Sequence, residues 1–97
     1  MVRHIVLLRW TETATAEQKR HAETAFHKLA EQIPQIGHIS CGSDLGLTDG
    51  AHDFAAVLDF ADAEDWRAYQ GHEAHKALIA DHLAPILAER SVIQFDV

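Results

Sequence analysis

Val2-Arg3-His4-Ile5-Val6-Leu7-Leu8-Arg9-Trp10 opens the chain on a two-residue alternation in which both sides carry large apolar groups. His4, Val6, Leu8 and Trp10 share one face and Arg3, Ile5, Leu7 and Arg9 the other, because successive strand side chains point to opposite sides. A strand that is apolar on both faces belongs in a sheet covered on two sides, and that requirement decides the fold. The run from Ile5 to Leu8 is too short, and closed too soon by Arg9, to be a signal or membrane segment. His4 lies on the more apolar face and needs a hydrogen-bonding partner there.

Moving outward, Thr15 and Gln18 have capping-box spacing, which predicts a helix over residues 16–33. Ala22, Phe26, Leu29 and Ile33 form its apolar stripe, and Pro34 ends it by lacking a donor and disfavouring helix at the residue before it. Residues 35–45 read as a second strand, weakened by Gly37 and Gly42. A polar loop follows over 47–52, and Phe54, Ala56, Leu58 and Phe60 alternate as a third strand over 53–60. Asp62 and Asp65 suit the start of a short helix carrying Trp66 and Tyr69, with Gly71 placed to stop it. A second helical piece is predicted over 72–83. Pro85 interrupts it, a loose turn runs through Arg90, and residues 91–97 close the chain as a strand.

The order strand, helix, strand, strand, broken helix, strand is that of a ferredoxin-like βαββαβ domain of the α+β class: an antiparallel four-stranded sheet with helices on one face. The other face would carry Ile5, Leu7, Ala55, Val57, Ile93, Phe95 and Val97. With 97 residues the chain makes one domain (1–97) that buries only about 60–65% of its unfolded surface, yet 47% of its residues are apolar. A homodimer formed through the sheet face, making a dimeric α/β barrel, would use the excess.

Fifteen acidic residues against eight basic ones give a net charge of −7. That balance opposes nucleic acid and anionic membrane as partners. The single Cys41 excludes an intrachain disulfide and suits a reducing compartment, so a cytoplasmic location is expected.

Residues 66–86 gather Tyr69, His72, His75 and His82 on one short stretch. His75 facing the sheet and His4 facing the helices would put two imidazoles in a half-buried slot, where a neutral ring can take a proton near pH 7. Tyr69, across the Gly71 break, could donate to a developing enolate or carbonyl oxyanion. Each residue also has a plain reading: a core histidine bonded to a backbone carbonyl, or a core tyrosine with a wet tip. His72 and His75, with His82 or His4, have spacing that metals accept, but no carboxylate completes the sphere and His72 suits a helix cap, so no metal is assigned. Cys41 reads as a small buried hydrophobe rather than a nucleophile.

The opening Val2–Leu8 run, the segment Tyr69-Gln70-Gly71-His72-Glu73-Ala74-His75, Pro85, and the closing Val92-Ile93-Gln94-Phe95-Asp96-Val97 together resemble the stress-responsive A/B barrel (Dabb) family over nearly the whole chain. Glu73 stands where that family usually has proline. The resemblance implies a homodimeric ferredoxin-like barrel. It also implies a comparison with the family's plant polyketide cyclase, which closes a poly-β-keto chain by intramolecular aldol condensation. By that likeness Tyr69 and His75 take the catalytic positions and His4 the supporting one. Phe54 replaces a further pocket histidine. Val6, Leu8, Phe26, Phe54, Ala56, Leu58, His72 and Ile79 would line the substrate side, with a small apolar carbonyl compound as ligand and no cofactor. Two functions stay open: a cofactor-free acid–base enzyme (cyclase, isomerase or lyase type), or a non-catalytic stress-responsive or ligand-binding dimer. Relatives with the same barrel include cofactor-free monooxygenases.

Overall fold

A computed structural model describes all residues, 1–97. Strand β1 (Val2–Trp10) leads to helix α1 (Ala16–Gln32), strands β2 (His38–Ser43) and β3 (Phe54–Phe60), helices α2 (Ala63–Gly71) and α3 (Glu73–Leu78), a π-helical turn (Ile79–Leu83) and strand β4 (Leu87–Asp96). The sheet order is β2-β3-β1-β4, with every pair antiparallel. This is the ferredoxin-like arrangement expected, and β1 takes the inner position that its two apolar faces demand.

The predicted α1 start holds: the Thr15 side chain accepts from the Gln18 amide at 3.1 Å, and the Thr15 amide donates to the Gln18 side chain at 2.9 Å. Its end falls one residue earlier than expected. Ile33 is the cap, in extended conformation, as the following proline requires. The inner face of β1 and β3 and the stripe of α1 make one core, in which Leu8, Ala22, Ile33, Ala56, Leu58 and Phe60 are fully buried. The Phe26 and Phe54 ring centroids lie 5.1 Å apart, a contact that fixes α1 over β3.

Two expectations are corrected. β4 begins at Leu87, where a loose turn was expected through Arg90, because Leu87, Glu89 and Arg90 pair with Trp10, Arg9 and Leu8 across a register shift at Arg9/Trp10. Gly71 is not the breaker between α2 and α3. It lacks a positive φ, and a Cβ added there meets nothing within 4 Å. The break is His72, extended at φ −71° and ψ 140°, whose Nδ1 accepts from the Ala74 amide at 3.0 Å and starts α3. Gly71→Ala is therefore expected to raise stability by up to about 1 kcal/mol in urea unfolding, since alanine loses less backbone entropy in a helix. A loss of stability would restore Gly71 as the hinge.

On the sheet face away from the helices, Ile5, Val57 and Ile93 lie in one row across three strands, and Leu7 and Ala55 lie in the next. Arg3 and Asp59 sit at one end of this face in a two-pronged ion pair of 2.9 and 3.1 Å. No helix is long and apolar enough to cross a membrane.

Candidate functional site

A cavity of about 210 Å³ opens between the inner face of the sheet and the α2–α3 segment. His4 and Val6 reach it from β1, Phe26 from α1, Tyr69 and Gln70 from α2, and His75 and Leu78 from α3. The π turn adds Ile79 and Leu83, Ala84 follows, and β4 supplies Leu87 and Arg90. The three residues expected to carry chemistry thus meet in one space, brought there from three elements.

The His72 cap sets their geometry. It turns the chain so that His75, at the start of α3, packs against Tyr69, at the end of α2, with ring centroids 4.3 Å apart. His75 Nδ1 donates to the Gln70 carbonyl at 3.2 Å, because a carbonyl can only accept. That fixes the tautomer and leaves Nε2 as a proton acceptor. His4 stands edge-on to Tyr69 at 5.9 Å. Its Nδ1 accepts from the Gln94 side-chain amide at 2.8 Å, which puts its own proton on Nε2. Gln94 is the partner that the apolar setting of His4 required.

Burial depresses the basicity of both imidazoles. His4 falls to about 4, chiefly by loss of hydration, then through the nearby His75 and Arg90, so it stays neutral and acts as a donor. His75 is lowered first by burial. The Gln70 hydrogen bond opposes that shift, and Arg90 adds to it. Burial raises the Tyr69 phenol, against a smaller opposing pull from Arg90, so it keeps its proton at neutral pH. Of these three groups, His75 Nε2 is the acceptor, and Tyr69 and His4 are neutral donors. Among the cavity residues Arg90 alone carries a permanent charge.

Of the residues expected on the substrate side, Val6, Phe26 and Ile79 line the cavity. Leu8, Phe54, Ala56 and Leu58 share the correct sheet face but are core residues outside it, no more than 2% exposed. His72 is the α3 cap and lies outside the lining. His82 opens onto a separate groove between α1 and α3 with His21, Lys28 and Asp81. No three His, Cys, Asp or Glu side chains are placed to hold a metal ion. Cys41 lies 3.6 Å from His27 Nε2 at the β2 edge. Its thiol is pushed up to about 11 by burial and by Glu23, which keeps it protonated. Sequence reading missed Gln70, Gln94 and Arg90. Pairing His4 across an antiparallel β1–β4 ladder would have found Gln94.

The chain matches the Stress responsive A/B Barrel Domain family over residues 2–97. Among solved structures it is similar to a dimeric ferredoxin-like protein of unknown function from Thermobifida fusca YX (43% identity, TM-score 0.91, covering 99% of this chain and 90% of that one). A dimeric protein of unknown function and ferredoxin-like fold from Bacteroides fragilis is 23% identical, with TM-score 0.83 and coverage of 99% and 95%. A hydroxynitrile lyase from Passiflora edulis is 19% identical, with TM-score 0.84 and coverage of 97% and 90%. At under 25% identity, these last two show the fold alone. No curated protein matches.

Proposed function

The chain belongs to the Stress responsive A/B Barrel Domain family, and from that membership and the cavity's geometry we propose that it is a cofactor-free proton-transfer enzyme working as a homodimer. One observation carries the reading. His75 is held by the Gln70 carbonyl in the tautomer of a base, packed on a protonated Tyr69 inside an apolar-walled cavity. A carbonyl compound bound there would lose a proton from the carbon next to its carbonyl. The C–H bond breaks, the proton goes to His75 Nε2, and the electron pair moves onto the carbonyl oxygen. Tyr69 and neutral His4 donate to that oxygen as its charge develops, which favours the enolate over the ketone. Cyclisation, isomerisation or bond cleavage can each proceed from such an enolate.

The test is solvent exchange. Incubated in D2O with a panel of small ketones and β-keto compounds, the protein should speed deuterium entry at the carbon beside the carbonyl, read by proton NMR. Exchange no faster than in buffer across the panel would leave a non-catalytic binding dimer as the better reading.

The dimer would form through the open sheet face. Ile93, at one end of the Val57–Ile5–Ile93 row, is 57% exposed and Phe95, further along β4, 44%, and an apolar surface of this kind is what association covers. The Thermobifida fusca and Bacteroides fragilis proteins are both dimeric. Ile93→Asp places a carboxylate at the β4 end of that row, on the apolar surface the dimer would bury. Sedimentation at micromolar concentration should then give the mass of one chain. An unchanged dimer would move the interface elsewhere.

A further inference from the structure

Arg90 stands out among the cavity residues. It lies opposite Leu8 in the β1–β4 ladder, on the inner face of the sheet, and its side chain reaches the cavity. It takes part in none of the chain's ion pairs: Arg3 holds Asp59, Arg9 holds the neighbouring Glu89, and two histidines of α1 lie near glutamates of the same helix. Every other side chain lining the cavity is apolar or neutral. An unpaired guanidinium at such a wall presents a planar fork of donors that matches a carboxylate.

We propose that Arg90 binds a carboxylate of the substrate, so that the cavity takes small keto acids rather than neutral ketones. This rests on the reading of the cavity as a carbonyl site and names its substrate class. Two dimensions bound the molecule. The volume, about 210 Å³, lies below the span usual for pockets that take drug-sized ligands. Arg90 is four residues along β4 from Gln94, the His4 partner, or about 13 Å of strand, part of which the long arginine side chain spans. An acid group a few carbons from the carbonyl fits between them.

The bound carboxylate would also act on the base. His75 is faced by Tyr69 from α2, His4 from β1 and Arg90 from β4, and of these only Arg90 is charged. In the free protein that charge works against protonation of His75. A carboxylate on the guanidinium cancels it, so the base strengthens when the acid substrate is in place. The protein's overall charge of −7 repels anions in general, which makes one local cation a selective feature.

Levulinate, a γ-keto acid, and 2-pentanone, its neutral counterpart, test this by NMR titration of the full chain, with deuterium entry followed separately. Levulinate should bind about threefold to tenfold more tightly than 2-pentanone, as expected of a carboxylate paired with a guanidinium that is exposed at the cavity wall. That preference should vanish in Arg90→Gln, return in part in Arg90→Lys, and persist in His75→Ala. Equal affinity for the two probes, or an unchanged preference in Arg90→Gln, would overturn the proposal, as would inorganic phosphate displacing levulinate at equal concentration. Selective, Arg90-dependent binding without deuterium entry would uphold the carboxylate site while removing proton abstraction. Deuterium entry with no preference would do the reverse.

Discussion

Alanine in place of His75 is expected to slow deuterium entry by about 10²- to 10⁴-fold, the contribution usual for a positioned general base. The fold should survive. His75 is only half-buried, borders open space, and makes a single bond of 3.2 Å to a backbone carbonyl, whose loss costs about 1 kcal/mol. Rate and stability are thus separable, which they would not be for a histidine serving the core. Tyr69→Phe keeps the ring packed on His75 and Phe60 and removes only the hydroxyl, so a loss of about 10²- to 10³-fold is expected, as for a missing oxyanion donor. Because both residues act in one step, the double variant should be little worse than the worse single one. If both variants exchange at the wild-type rate, neither residue touches the reacting atoms.

Acid should weaken the fold through His4. Buried at 3% exposure and held to about 4, its ring is neutral in the folded chain over a range where the unfolded chain, near 6.5, binds a proton. Stability rises with pH wherever the unfolded state holds more protons. The His4 contribution is therefore complete above about 6.5, falls as pH drops toward 4, and is flat below that. A gap of this size amounts to on the order of 3 kcal/mol. His75, shifted in the same direction, adds to it. Asp59 does not share the window. Its carboxyl is held low by the Arg3 hydrogen bonds, so its contribution is present above the ordinary carboxylate range and is lost only as pH falls below it. Urea midpoints measured from pH 7 to pH 4 should trace the decline, and His4→Gln should flatten most of it. A wild-type midpoint constant over that range would mean His4 is protonated when folded.

The strands were legible where side-chain alternation was strong. His4, Val6 and Leu8 announced their face, and the Thr15–Gln18 pair announced α1. Alternation gives the face of a sheet but not the position along it. That is why Leu8, Phe54, Ala56 and Leu58, all on the correct face, turn out to lie in solid core while Val6 borders the cavity. Arg90 was hidden for a different reason. Leu87–Arg90 mixes one apolar residue with a small one and two charges behind a proline, so it reads as a turn. Only its pairing with β1, across a shifted register, makes it strand. Gly71 and His72 competed for the same break, and composition favours glycine. The decision lies with the extended backbone at 72 and a side-chain nitrogen aimed at the Ala74 amide, neither of which residue type alone reveals.

The π turn over Ile79–Leu83 bears on how such a cavity can be altered. Its closing bond runs from the Ala84 amide to the Ile79 carbonyl at 2.8 Å, five residues back, so the ring it closes holds one residue more than in an α-helix. Ile79, Leu83 and Ala84 are all wall residues. The wall's phase is therefore tied to chain length: one codon gained or lost there rotates everything up to Pro85 by about 100° relative to α3. Among descendants of such a chain, new ligand preferences could come from a change in length within a helix, the kind of element in which point substitutions are usually the route to variation.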